Sequence, residues 1–141
     1  FEPVFVYALK ERFKADPLIF VYDFALEAED GTRKIKVRNN STSFYSDSGE
    51  DQEVKVRDIW RFIEAQGKPE IDLLKMNCEG SEYKILRRLW DVNYMPHIKQ
   101  IVVQFHPQFM MEHECFEKRL SETHECLFKS DHWQWWKVKN G

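Results

Sequence analysis

Polar side chains cluster where an apolar strand pattern ends, near the middle of the chain. The strand pattern covers residues 71–76, and the polar cluster at its end consists of Lys75, Asn77, Glu79 and Glu82, with Gly80 among them. In an open α/β sheet, ligands bind outside the carboxyl ends of the strands. A carboxylate there can accept a proton, and an amide can orient a hydroxyl or an amine. The segment therefore favours a site over its alternative, a buried strand followed by an ordinary turn.

A histidine follows the next apolar strand pattern. Residues 98–105 predict a strand, and His106 comes directly after it. Histidine as a residue type can gain or lose a proton near neutral pH, which suits a general base. If an acceptor must lose a proton, Glu79, Glu82 or His106 has to take it. Their structural alternatives are, in the same order, a turn acid, an acid at a helix start and a capping histidine.

The elements that must position these residues follow from hydrophobic periodicity and from turn signals. Helices are predicted over residues 4–14, 58–66, 81–90 and 108–122, the second of them capped by Asp58. Strands are predicted over residues 18–26, 33–38, 54–56, 71–76, 98–105, 125–129 and 133–138, the last two as an antiparallel hairpin. The polar stretch 39–51 is either a flap near the site or, with more support, a plain surface loop.

The alternation of strands and helices predicts an α/β fold with a mainly parallel sheet and helices on both sides. One domain over residues 1–141 is long enough to bury a core. A net charge of −3 gives no case for nucleic acid, and no apolar run is long enough to cross a membrane. Three cysteines, Cys78, Cys115 and Cys126, favour a reducing compartment, so the cytoplasm is expected. The oligomeric state is left open.

The segment Lys75-Met76-Asn77-Cys78-Glu79-Gly80-Ser81-Glu82 resembles the Lys-x-Asp/Asn-x-Glu-Gly-x-Glu signature of FkbM-type methyltransferases. Shorter segments resemble the same family in the same order along the chain: Phe1-Glu2-Pro3, Phe24-Ala25-Leu26 with Asp30-Gly31, and Gln104-Phe105-His106. The resemblance implies a Rossmann-like class I methyltransferase fold with S-adenosylmethionine as the cofactor. It also implies methyl transfer to an acceptor, which we expect to be a hydroxyl of a small molecule or a sugar.

The resemblance also implies roles for single residues. Glu2, with Pro3 beside it, would hold the ribose of S-adenosylmethionine, although Glu2 could equally be an acid at a helix start. Asp23 and Ala25, near the end of the third strand of the family, would meet the adenine. At the acceptor side, Asn77 and Glu79 would orient the acceptor and His106 would be the base.

Three departures from the family pattern motivate a second hypothesis. Asn77 stands where many members have Asp, and Gln104 stands where members often have Glu; an amide cannot serve as a base. The pocket is then either less negative than usual or part of a catalytically silent binding or assembly module. A glycine-rich turn is also missing, since the chain has no Gly-x-Gly and no glycine before Glu2. We therefore expect the first strand and this turn to be absent, and the chain alone to bind S-adenosylmethionine poorly or not at all.

Two further patterns are weaker. The tripeptide His-Glu-Cys occurs at 113–115 and again at 124–126, with His132 nearby, but this spacing matches no common zinc module. No metal site is therefore predicted, and a metal-dependent hydrolase is the weakest hypothesis. Trp133 and Trp135 would share one strand face, with Trp136 on the other. Packing of the hairpin on helices is favoured over a platform on which a sugar stacks.

Overall fold

The computed structural model describes residues 3–38, 41–43, 50–106 and 110–139, and it describes side chains for 5–35, 52–106 and 114–139. The helices are α1 (Pro3–Phe13), α2 (Ile59–Ala65), α3 (Glu82–Asp91) and α4 (Met110–Thr123), with a 3-10 turn over Met95–His97. The strands are β1 (Ala25–Glu27), β2 (Gly31–Arg38), β3 (Ser41–Ser43), β4 (Glu50–Asp58), β5 (Leu74–Met76), β6 (Gln100–Gln104), β7 (His124–Lys129) and β8 (Trp133–Val138). The described part of the chain contains no helix that is long and apolar enough to cross a membrane.

The strands form two four-stranded sheets. The first has the order β1-β4-β2-β3, with β1 parallel to β4 and with β2 antiparallel to both of its neighbours. The second has the order β5-β6-β8-β7, with β5 parallel to β6. Its β8 is antiparallel to β6, and β7 and β8 form the antiparallel hairpin that the sequence predicts.

The α/β class is confirmed, but the prediction of a mainly parallel sheet is wrong. Each sheet is mixed, with one parallel pair in each. The physical reason lies in the connections. Antiparallel neighbours need only a short link, whereas a parallel pair needs a long crossover. The alternation of helices and strands shows where crossovers are possible, but it does not show which strands return directly beside their neighbour.

The main core lies between the second sheet and the helices α3 and α4. Ile101 and Val103 of β6 are fully buried, and Leu86, Leu89 and Leu120 from the helices are fully buried as well. The helix periodicity of the sequence is therefore confirmed for α3, which buries one apolar stripe. This core fixes the position of β5 and β6, whose carboxyl ends carry the candidate residues.

The helix α2 is confirmed together with its predicted cap. The Asp58 carboxylate accepts a hydrogen bond from the Trp60 amide at 2.8 Å. The same carboxylate forms an ion pair with the Arg88 guanidinium of α3, with Nη2 at 2.8 Å and Nε at 3.0 Å from Oδ2. Asp58 therefore ties the end of β4 to both helices that flank the site.

The predicted strand 18–26 is wrong over most of its length. Only Ala25–Glu27 forms a strand, because only these residues pair with β4. Leu18 and Phe20 have strand-forming side chains, yet both are exposed, since a strand needs a neighbour and composition alone does not supply one.

Helix 4–14 is confirmed as α1, but its apolar stripe is exposed, at 61% for Phe5 and 42% for Leu9.

The other predicted strands are confirmed with changed bounds. The short strand 54–56 is part of the longer β4, while the predicted strand 71–76 is reduced to β5, with Ile71 in an isolated bridge to Ile98. The predicted loop 39–51 contains β3 and the start of β4, and its residues 39–40 and 44–49 lie outside the described residues.

Candidate functional site

The parallel pairing of β5 and β6 brings the two groups of candidate residues to one edge of the second sheet. Leu74 lies opposite Ile101 and Met76 lies opposite Val103, so both strands end side by side. His106 follows β6, and its Nε2 lies 3.3 Å from Oε2 of Glu79, which follows β5. Because the strands run in the same direction, residues almost thirty positions apart in sequence meet at this edge.

The turn after β5 has an unusual backbone. Glu79 has a φ of 50° and Gly80 has a φ of 112°, so both lie at positive φ. Glycine adopts such angles freely, whereas a residue with a Cβ is strained there by about 1–2 kcal/mol. Strain of this kind persists only where the surrounding structure holds it, and it is often found at functional sites.

The side-chain carboxylate of Glu82 stabilises this turn. Its side chain is fully buried in the first turn of α3. One carboxylate oxygen accepts a hydrogen bond from the Cys78 amide, and the other accepts one from the Gly80 amide at 2.8 Å. Since both oxygens bind backbone amides at the positive end of a helix, Glu82 is a structural anchor. Burial of the neighbouring Cys78 thiol, together with the charge of Glu82, raises the pKa of that thiol to about 12.

His106 lies between two carboxylates and is 9% exposed. Its Nδ1 is 3.3 Å from Oε1 of Glu82, within ion-pair distance but without hydrogen-bond alignment to any described group. This contact is therefore electrostatic. Together, Glu79, Glu82 and His106 form what we call the carboxylate–histidine cluster.

A cavity of about 360 Å³ lies between the two sheets, beside the cluster. Most of its wall is apolar and comes from Phe24, Leu26, Ile35, Leu74, Met76 and Ile85. Asn77, Glu79 and Ser81 supply polar groups to this wall. Ser81 is almost completely buried, and its hydroxyl makes no hydrogen bond to any described residue. An apolar cavity with a few polar groups at one end is the usual form of a small-molecule site.

The residues that were predicted to bind the cofactor do not share one position in the structure. Glu2 lies outside the described residues, and Pro3 is the first residue of α1. Asp23 precedes β1, and its exposed carboxylate is 3.3 Å from Nζ of Lys10, which lowers its pKa. Ala25 begins β1 and contributes to the cavity wall. The structure thus brings Ala25 to the same cavity as Asn77 and Glu79, whereas Asp23 is engaged with α1.

The family model of the methyltransferase FkbM domain matches residues 21–130, which include β1, the cavity and the whole cluster. The chain belongs to the FkbM methyltransferase family. This confirms the resemblance seen in the sequence, and it assigns the chain to the methyltransferases. Neither a curated protein nor a solved structure gave a significant match to the chain.

Two residues of this FkbM-family site have roles in the structure that the sequence did not predict. Ser81 was read only as the start of a helix, and Glu82 only as a possible base or helix-start acid. The family signature contains both positions, but the roles of both depend on the fold of the turn. The left-handed angle of Glu79 is the missing information, and nothing in the residue type Glu predicts it.

The described residues contain no candidate metal site. Nowhere among them do three or more His, Cys, Asp or Glu side chains lie close enough together to bind an ion. His124 is fully buried, and its Nε2 donates to the carbonyl of Ile98 at 2.8 Å while its Nδ1 lies 2.8 Å from the Thr123 hydroxyl. Cys115 and Cys126 are exposed. The side chain of His113 lies outside the described side chains.

The tryptophans of β8 follow the alternation that the sequence predicts. Trp136 is buried and donates to Gln134 at 2.9 Å, in the core beside α4. On the opposite face, Trp135 is 40% exposed and Trp133 is half-buried, with Nζ of Lys75 4.9 Å from its ring centre. Packing in the main core is therefore observed for Trp136, while the other two line the open face of the sheet.

Proposed function

We propose that this chain carries the acceptor side of a site that transfers a methyl group from S-adenosylmethionine to a hydroxyl of a small molecule or a sugar. The observation that carries the proposal is the contact between Glu79 and His106 at the shared end of β5 and β6, beside an apolar cavity. Family membership supports methyl transfer as the reaction. The choice of a hydroxyl acceptor rests on the presence of two proton-accepting side chains.

The residues fit the demands of such a reaction. S-adenosylmethionine supplies an electrophilic methyl carbon when it is bound. The protein must orient the acceptor and must provide a destination for the hydroxyl proton. Asn77 can orient a hydroxyl by hydrogen bonding, while Glu79 and His106 can accept a proton. The apolar wall of the cavity lowers the access of water and so strengthens these polar contacts.

The chain also has groups that suit the cofactor. The carboxylate of Glu79 complements a sulfonium or an ammonium charge, and the hydroxyl of Ser81 has no partner among the described residues. Ala25 also lines the cavity, and its small side chain leaves room for a flat ring. The role of Glu2 at the ribose, with Pro3 beside it, remains the prediction that the family resemblance implies.

The test uses the complete natural gene product that contains this chain. It is incubated with S-adenosylmethionine labelled in the methyl group and with a panel of monosaccharides and small alcohols, and the label in the products is counted. We expect transfer to at least one hydroxylated acceptor, and a loss of about 10²–10⁴-fold in rate for Glu79→Gln or His106→Ala. Glu122→Gln, on the exposed side of α4, is the matched control and should keep the rate. Absence of both cofactor binding and transfer would contradict the proposal.

A catalytically silent binding module is the second candidate, because Asn77 and Gln104 place amides at the ends of both strands. The same experiment distinguishes the two functions. Binding of S-adenosylmethionine without transfer to any acceptor supports the module. A separate titration calorimetry experiment on the chain 1–141 tests the expectation that it alone binds this cofactor poorly; micromolar affinity would overturn that expectation.

A further inference from the structure

The buried carboxylate of Glu82 is the least expected feature of the site. A charged side chain with no exposure must be compensated by hydrogen bonds or by opposite charge. Glu82 meets this requirement with the amides of Cys78 and Gly80 and with the positive end of α3. These two amides flank Glu79. The carboxylate of Glu82 therefore determines the path of the backbone through the residue that borders the cavity.

The position of the Glu79 side chain depends on this path. With a φ of 50°, its Cβ points in a direction that an ordinary turn or strand would not give. If the amides of Cys78 and Gly80 lost their acceptor, the turn could relax to a less strained backbone. The Glu79 carboxylate would then leave its position 3.3 Å from Nε2 of His106.

His106 is oriented by the same buried group. Its Nδ1 faces Glu82 at 3.3 Å and its Nε2 faces Glu79 at 3.3 Å. A carboxylate beside one nitrogen of an imidazole attracts that edge of the ring, and so contributes to its orientation even without a hydrogen bond. Both nitrogens of His106 therefore face protein carboxylates. The side chain of Glu79 is more open, with 34% of its surface exposed against 10% for His106, and it borders the cavity.

We propose that Glu82 is a positioning residue, which holds the Cys78–Gly80 turn and orients His106, and that Glu79 is the group that receives the acceptor proton. This differs from the expectation from the sequence, in which His106 itself is the base. His106 contacts Glu79 through Nε2, which lies 3.3 Å from the Glu79 carboxylate. The assignment of the proton to Glu79 rests on the proposed function, whereas the positioning role of Glu82 does not.

The acceptor oxygen forms a bond to the methyl carbon while the carbon–sulfur bond breaks, and the electron pair of that bond remains on sulfur. The acceptor proton passes to an oxygen of Glu79, and it leaves through His106 or directly to water. No oxidant, reductant or metal ion is needed.

The thiol of Cys78 reports on the turn without any need for activity. Cys115→Ser and Cys126→Ser remove the two exposed cysteines, so that Cys78 is the only thiol left in the chain. Its alkylation by iodoacetamide is followed by mass spectrometry. We expect slow alkylation in this background and clearly faster alkylation after Glu82→Gln, by about tenfold for each unit by which the thiol pKa falls. Glu82→Asp should give an intermediate rate, and Glu122→Gln should match the background.

A second measurement separates positioning from simple loss of stability. The ¹⁵N signals of the His106 ring, read by NMR, show which nitrogen carries a proton. We expect Glu82→Gln to change the signal of Nδ1. We expect Glu79→Gln to change the signal of Nε2 while the alkylation rate of Cys78 stays at the background value.

The outcomes decide between the possibilities. A folded Glu82→Gln variant, with background circular dichroism, background alkylation and unchanged ring signals, overturns the proposal. If that variant does not fold, Glu82→Asp decides, and an alkylation rate equal to the background then overturns it. Faster alkylation and changed ring signals in a protein that transfers no methyl group would support the role of Glu82 and contradict the proposed function alone.

Discussion

Nε2 of His106 lies 3.3 Å from Oε2 of Glu79, and the two residues follow the neighbouring parallel strands β6 and β5. This contact joins two separate parts of the sequence at one edge of the second sheet. A third side chain, Glu82, contacts His106 from its other edge, with Oε1 3.3 Å from Nδ1. The geometry places two carboxylates and an imidazole next to an apolar cavity in a chain of the FkbM family.

Replacing Asp58 tests the link between β4, α2 and α3. Asp58→Ala removes the cap of α2 and leaves the Arg88 guanidinium without its acceptor. We expect a loss of about 2–4 kcal/mol in the free energy of unfolding, since a lost cap costs about 1 kcal/mol and a broken buried pair costs more. Asp58→Asn should lose less, because its amide oxygen can still cap the helix.

Urea unfolding measures these differences. The matched control is Asp72→Ala, which removes an exposed ion pair with Lys99 and should change the free energy of unfolding by less than about 1 kcal/mol. Equal effects at the two positions would show that the Asp58–Arg88 pair does not hold the helices in place.

The backbone of Glu79 gives a second prediction. Glu79→Gly and Glu79→Ala remove the same carboxylate, but only glycine adopts a φ of 50° without strain. We expect the glycine variant to be more stable than the alanine variant by about 1 kcal/mol, because glycine removes the backbone strain at this angle. The gain is smaller than the full strain energy, because glycine also gives the unfolded chain more conformational freedom. Equal stabilities in urea unfolding would mean that residue 79 does not hold the left-handed angle in solution.

His124 predicts a pH dependence of stability. Burial lowers its pKa below the ordinary value of 6.5, so the unfolded chain binds a proton at a higher pH than the folded chain does. The contribution of His124 to stability is therefore complete above pH 6.5, and it decreases as the pH falls through 6.5 toward the lower pKa of the folded state. His124→Gln should lose this part of the dependence. Melting temperatures of both proteins between about pH 5 and pH 8 provide the comparison. A parallel pH profile in the variant would contradict the prediction.

The three cysteines should react at two different rates. Cys115 and Cys126 are exposed, whereas burial and the charge of Glu82 raise the pKa of Cys78 to about 12. A thiol reagent at neutral pH should therefore modify two cysteines quickly in the folded protein and the third only slowly, because the thiolate is the reactive form. In denaturant all three cysteines should react at the same fast rate. Peptide mapping identifies the slow residue, and fast labelling of Cys78 in the folded chain would show that the turn is open.

Local patterns in the sequence predicted the elements that depend on local interactions. Asp58 before an apolar periodic segment predicted the capped helix α2, and the stripe Ile85, Leu86 and Leu89 predicted α3. Strand formation depends on a partner that the sequence does not name. Residues 18–24 have the composition of a strand, yet they remain outside the sheet, where only Ala25–Glu27 meet β4.

The same distinction applies to the site. The rule that strand ends carry ligands led to Asn77, Glu79 and His106 from sequence alone, and the parallel pair of β5 and β6 brings Glu79 and His106 together. The anchoring role of Glu82 was not predictable, because it depends on two backbone amides and on a positive φ. Glu2 stays a prediction, since it lies outside the described residues.

We propose that Glu79 and His106 act as one proton-accepting unit in methyl transfer. The most direct test is a cycle of Glu79→Gln, His106→Ala and the double variant in the complete natural protein, with transfer of a labelled methyl group as the measured rate. Residues that act as a unit are strongly non-additive. We predict that the double variant is no slower than the slower single variant. If the loss of rate in the double variant equals the product of the two single losses, or if the single variants keep the full rate, the two residues do not act as a unit.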